Sequence, residues 1–191
     1  MPRAAADRLH FTPDAEANRL LAEDPLALLI GFVLDQQVTV QKAFSSPLEL
    51  KRRLGGLDAA EIAGLETAEL ERVFGERPAL HRFPGAMARR VQELARGVVS
   101  EYGGRAERVW TEAADARDLK RRLLSLPGMG DMKTRSLLAV LAKRLGVELD
   151  GWEEVLPTHP TLGDVDSPQA LEEYQAAKRA HKAALRAGAG G

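Results

Sequence analysis

The chain is 191 residues long, 45% hydrophobic and 29% charged, with a net charge of −1; this suits one folded unit or two small lobes and leaves the question of a nucleic-acid partner to the distribution of charge. It has no cysteine, which excludes disulfides, a thiolate nucleophile and a Cys-ligated iron–sulfur cluster. No apolar run is long enough to span a bilayer, and Met1-Pro2-Arg3-Ala4 lacks the apolar stretch of a signal peptide, so the expectation is no membrane partner and a cytoplasmic location.

Residues 1–24 read as an N-terminal arm with one short helix, Asp14 to Leu21, packing with the C-terminal part of the chain. Asp24-Pro25 opens the next helix, because Asp can cap it and Pro is tolerated in a first turn. Leu26 to Leu34 is apolar almost all round, which predicts the buried central helix, and it ends in polar Asp35-Gln36-Gln37. Ser46-Pro47 predicts a helix over Leu48 to Leu54, stopped by Gly55-Gly56. Asp58 with Glu61 is spaced as a capping box before a short helix, and Thr67 begins another that runs to Phe74. Nothing alternates with a strand period, so the expected fold is all-α.

Arg77 to Pro84 is a proline-bounded loop leading into a helix over Gly85 to Glu101, whose buried stripe is Met87, Val91, Leu94 and Val98. In the loop, a lone His81 reads more readily as a structural histidine than as an acid or base, and Phe83 is a candidate for lining a pocket. Helical spacing over Leu119 to Leu124 ends at Pro127 and resumes from Met132 to Leu145. Between them, Leu126-Pro127-Gly128-Met129-Gly130-Asp131-Met132-Lys133-Thr134 is a tight turn whose glycines allow positive φ and bare amides. Those amides precede a helix, where unpaired N–H groups and the macrodipole favour an anion such as phosphate; the plainer reading is a corner between two helices. Lys120, Arg121, Arg122, Lys133, Arg135, Lys143 and Arg144 concentrate positive charge beside the turn, which favours DNA over a merely solvated face. After Glu173 the chain has no acid but carries Lys178, Arg179, Lys182 and Arg186. That segment reads either as further phosphate contacts or as a helix packing back on the N-terminal arm before fraying into Gly188 to Gly191.

Leu126-Pro127-Gly128-Met129-Gly130 between two helices resembles the hairpin of the helix-hairpin-helix/Gly-Pro-Asp superfamily of base-excision DNA glycosylases, which includes endonuclease III-like and 3-methyladenine glycosylase-like enzymes. Leu28 to Thr39, a helix ending in a glutamine-containing loop, and Ala86 to Gly104, the helix before the hairpin, are similar to two other parts of that superfamily in the same order. The resemblance covers residues 25–150, with 151–191 left as a C-terminal loop and basic helix, and it implies two helical lobes with the hairpin and a substrate cleft between them. It further implies a hairpin site of Leu126, Gly128, Met129, Gly130, Lys133, Thr134 and Arg135, and a wedge or base pocket drawn from Gln36, Gln37, Val38, Phe83 and Trp152. The partner so implied is double-stranded DNA with a damaged or mismatched base, bound by a monomer in the nucleoid.

Such an enzyme holds an ionised carboxylate near an oxocarbenium-like sugar. Asp150 lies at the usual distance from the hairpin, although Leu149-Asp150-Gly151 departs from the superfamily's context and also reads as a helix-ending turn. Counting from Gly146 leads to Glu153 instead; Thr158-His159 echoes an expected pair, and Asp164 and Asp166 are weaker candidates. Bifunctional relatives carry a lysine where Met132 stands, and Lys133 is one step on, turned by about 100° on a helix. The expected activity is therefore monofunctional, without strand cleavage. The resemblance leaves room for a monovalent cation on hairpin main-chain carbonyls, while the side chains offer no metal site. A non-catalytic DNA-binding hairpin module is the runner-up, and a helical interaction protein the third reading.

Overall fold

Short polar side chains set most of the helix starts. In the computed structural model, which describes residues 4–189, the chain forms α1 (Ala15–Glu23), α2 (Pro25–Leu34), α3 (Val40–Leu54), α4 (Ala59–Gly64), α5 (Thr67–Gly75), α6 (Pro84–Tyr102), α7 (Arg108–Thr111), α8 (Ala116–Ser125), α9 (Asp131–Lys143), α10 (Trp152–Val155) and α11 (Pro168–Gly188). A 3-10 turn spans Leu162–Asp164, and no strand occurs among the described residues: the fold is all-α. Asp14, Asp24, Thr39, Asp58, Asp115 and Ser167 each accept a first-turn amide, at the starts of α1, α2, α3, α4, α8 and α11. The short α7 and α10 were not predicted, because four residues carry too little periodicity to register.

Helix α3 differs from the sequence reading, starting at Val40 and carrying Pro47 inside it. An interior proline costs a helix about 3 kcal/mol. Here the buried face of Val40, Ala43, Phe44, Leu48 and Leu50 outweighs that cost, and the Ser46 hydroxyl lies 2.8 Å from the Lys42 carbonyl and 2.7 Å from that of Leu80, fixing the turn before the proline.

The stretch before α1 is core rather than an idle arm. Leu9 and Phe11 are fully buried, and the Phe11 ring meets Phe44 edge-on at 4.9 Å, which in turn meets Phe32 at 5.0 Å. The Ala6 amide donates to the Arg144 carbonyl at 2.7 Å, tying this stretch to the end of α9. Met1 to Arg3 lie outside the described residues.

As its composition predicts, α2 is central: every residue from Leu26 to Leu34 is buried, most of them in an apolar cluster that runs from Leu9 to Leu171, with Ala27 in a smaller one beside Ala17, Leu20 and Leu48. The hairpin between α8 and α9 is seated in this body. Pro127 packs on α6, where a Cβ on Gly97 would meet the proline Cδ at 3.3 Å. Gly128, at φ +79°, packs on α2, where a Cβ would meet both Val33 methyls at 3.2 Å.

Leu171 is the last buried residue among those described. One turn further on, Gln175 and Gln41 of α3 exchange amide hydrogen bonds at 2.8 and 3.0 Å. From Ala176 to Ala189 every residue is exposed, so α11 leaves the body instead of packing back on the N-terminal stretch. Its helical order persists through Gly188; the last two residues of the glycine-rich end, Gly190 and Gly191, lie outside the described residues.

Candidate nucleic-acid interface

The hairpin presents one face to solvent and one to the core. Gly130 caps α9 in extended backbone (φ −87°, ψ 179°), contributes no side-chain cap, and has nothing within 4 Å of where a Cβ would stand. Beyond it, the amides of Asp131, Met132 and Lys133 occupy the first turn, where a helix supplies no acceptors. Leu126 and Met129 are each only 5% exposed and belong to the core, and the Met129 amide donates to the Leu126 carbonyl at 3.2 Å. The bare surface foreseen for both glycines thus belongs to Gly130 alone, since Gly128 lends its missing side chain to Val33.

Thr134 is corrected outright as a DNA contact. It is fully buried, with its Oγ1 unpartnered, and its amide donates to the Gly130 carbonyl at 2.9 Å. Arg135 is exposed and pairs with Asp131 at 2.8 Å across one turn. Asp131 complements the helix dipole at the position where a phosphate would sit, so an incoming anion meets a carboxylate already engaged with an arginine.

Lys133, by contrast, turns inward while Met132 stands 83% exposed. The Lys133 ammonium donates to the Val33 carbonyl at 2.9 Å and lies 3.4 Å from that of Gly128, binding the start of α9 to the end of α2. Burial pushes its pKa down, partly offset by Asp35. Asp35 is pushed up by its own burial, offset by the charges of Lys178 and Lys133. The Leu126, Gly128 and Gly130 carbonyls of the hairpin face the Met129 N–H, the Lys133 ammonium and the Thr134 N–H respectively. No cluster of three or more metal-ligating side chains occurs among the described residues.

An open depression of about 570 Å³ joins the hairpin to the α2–α3 junction, lined by Gly128 to Lys133 together with Gln36 and Arg90. The Arg90 guanidinium donates to the Gln36 side-chain oxygen at 3.2 Å. Beside it, exposed Gln37 adopts left-handed backbone at φ 55°, a conformation that costs a non-glycine residue about 1–3 kcal/mol and is concentrated at functional sites. Val38 is half-buried and packs on the core. Gln36 and Gln37 therefore stand at the rim and Val38 does not.

His81 fastens this rim from below. Its Nε2 lies 3.1 and 3.0 Å from the carbonyls of Leu34 and Gln36, so it carries the proton and donates, while Nδ1 accepts the Phe83 amide at 3.0 Å. Burial holds its pKa below the ordinary value, and a second ring proton would break the Phe83 bond. It is the structural histidine that the sequence favoured. Phe83, 40% exposed with its ring 6.1 Å from that of His81, stands near the rim without entering the depression.

The expected carboxylates stand elsewhere. Asp150 is an exposed turn residue whose carbonyl accepts the Ala116 amide at 2.9 Å, at the start of α8, whereas the hairpin follows its end. A ten-residue helix spans about 15 Å, so the structure does not bring Asp150 to the hairpin depression. Glu153 is exposed on α10, which packs on α8, and Trp152 is half-buried against the core there. Thr158 and His159 lie on an exposed loop, and Asp164 caps the 3-10 turn and pairs with Lys143 at 2.6 Å. A second depression, on α8 and α10, is lined by Arg117, Lys120, Arg121, Leu124, Glu154 and Val155.

Much of the positive charge foreseen beside the hairpin is spent internally. Arg121 and Arg122 both pair with Asp118, and Arg122 also donates to the Glu112 carbonyl at 2.8 Å. What the sequence reading missed is the grouping of Asp35, Arg90 and Lys133 around the end of α2. The signal was present in a polar Asp-Gln-Gln following nine apolar residues, but its partners come from 55 and nearly 100 residues downstream. Compared with protein-family models, with curated proteins and with solved structures, the chain matches nothing in any of the three.

Proposed function

We propose that the protein is a monofunctional base-excision DNA glycosylase of the helix-hairpin-helix kind, seating a damaged or mismatched duplex against the Gly130 face and the Gln36–Gln37 rim. The observation that carries this reading is one depression shared by the uncapped start of α9 and Gln36, with strained, exposed Gln37 next in the chain. Phosphate meets first-turn amides there. In this reading Gln37 fills the gap left by an extruded nucleotide.

In the reaction, a water oxygen bonds to the sugar C1′ as the bond from C1′ to the base nitrogen breaks; the base leaves with that electron pair and takes up a proton. A carboxylate beside the sugar stabilises the developing positive charge. Asp35, next in the chain to Gln36 and facing the Lys133 charge, is one candidate for that carboxylate, and Asp150 is the one the resemblance implies; Asp131, which lines the depression, is already paired with Arg135. Strand cleavage through a Schiff base requires a free amine, and the Lys133 ammonium is committed to two carbonyls. The second reading, a non-catalytic DNA-binding module, is favoured by the placement of Asp150 at the start of α8, the end away from the hairpin.

The test is a panel of duplexes carrying alkylated, deaminated, oxidised or mismatched bases, at low salt, with and without alkali. Expected are base loss from one class, breaks only after alkali, and loss of binding in Gly130→Val. Asp35→Asn and Asp150→Asn identify the carboxylate by which of them keeps abasic-duplex binding but loses excision. Binding without excision of any base establishes the second reading; no binding at all reduces the hairpin to a corner.

A further inference from the structure

The segment of α11 beyond the body is sided. At about 100° per residue, Lys178, Lys182 and Arg186 continue the stripe that Leu171 and Gln175 begin, and Arg179 flanks it. The opposite side from Ala176 onward is alanine at six positions. A helix kept soluble by its charges would distribute them around its circumference; this one keeps all four on the side by which it attaches to the body. Lys178 lies over the Tyr174 ring at 5.3 Å, and its charge reaches Asp35, the chain neighbour of Gln36 in the hairpin depression. Among the described residues none of these four cations forms an ion pair, whereas Arg121, Arg122 and Arg135 of the hairpin helices all do. The projecting part, 13 residues, is about 20 Å long, matching about six phosphates of one strand.

We propose that the outer half of α11 is a clamp for the phosphate backbone of double-stranded DNA, lying along the strand that leaves the hairpin and adding unpaired positive charge where much of the hairpin's own is paired. The inference rests on the DNA-binding reading above, and it names the element that provides most of the electrostatic affinity. A membrane surface and a second copy of the chain are the other partners a basic, exposed helix could take, and the experiment separates them.

Full-length protein and the variant K178A/R179A/K182A/R186A, together with its glutamine counterpart, are titrated against an undamaged 20-base-pair duplex from low to physiological salt. Circular dichroism checks that α11 persists, and Arg19→Ala with Lys51→Ala serves as a control for removing exposed cations elsewhere on the surface. The expected result is a slope of log affinity against log salt shallower by about 3 in both arm variants and unchanged in the control. Equal slopes in wild type and arm variants overturn the clamp while leaving the glycosylase reading standing. Wild type that binds no duplex overturns both. Unchanged duplex binding with loss of binding to phosphatidylserine vesicles, or with loss of self-association in sedimentation, overturns the clamp in favour of a lipid surface or a second copy.

Discussion

Gly128 and Gly130 stand two residues apart in one motif, yet the surroundings give them opposite duties. Gly128 sits at φ +79° with Val33 methyls at 3.2 Å from any added Cβ, so alanine there meets both a left-handed backbone and a wall. The backbone contribution alone is about 1–3 kcal/mol. Gly130 has ordinary extended backbone and open space, so Gly130→Ala should change stability by no more than about 0.5 kcal/mol. Urea denaturation of the two single variants measures the contrast. Equal stability losses would place Gly130 inside the packed hairpin and remove it as a docking surface. A pair of glycines in a turn was legible in the sequence, but which one faces the core was not, because the deciding atoms belong to Val33, nearly a hundred residues earlier.

The junction between α2 and α3 shows the same division at the level of elements. An all-apolar α2 and its Asp24 start were readable because burial and capping are local, whereas α3 was cut short in the reading because Pro47 outweighed the amphipathic face behind it. His81, from the loop before α6, holds this junction with both ring nitrogens engaged. Its folded pKa lies below the ordinary value, so between the two the unfolded chain binds more protons than the folded one. Stability from His81 is therefore complete above about pH 6.5 and is lost as pH falls below it towards the folded pKa. Denaturation midpoints between pH 7.5 and 5.5 should decline in the wild type and decline less steeply in His81→Gln, whose stability starts lower. Parallel profiles would mean that the imidazole is free to protonate in the folded state. In the folded protein His81 keeps its single ring proton until pH falls to the lowered folded pKa, so the rim that carries Gln36 and Gln37 should loosen, and duplex binding weaken, only there and in wild type only.

Across the whole molecule, stability and charge are distributed in opposite senses. The apolar cluster ends at Leu171, and the unpaired cations of α11 begin seven residues later. Composition revealed the basic tail, and its period of charge was there to be read; that it leaves the body was not, because a run of alanines packs or projects according to what lies beside it. A helix of about 13 residues without tertiary contacts is marginal in water, even when rich in alanine. Hydrogen exchange should accordingly find amides 178–188 opening at little free-energy cost, while those of α2 and α6 open only with global unfolding. Adding duplex DNA should slow exchange in 178–188 and in the first turn of α9 together, because the clamp and the hairpin would then be held by one strand. Slow exchange in 178–188 without DNA would mean that the free protein already covers this helix, and protection by DNA confined to α9 would leave the helix outside the complex.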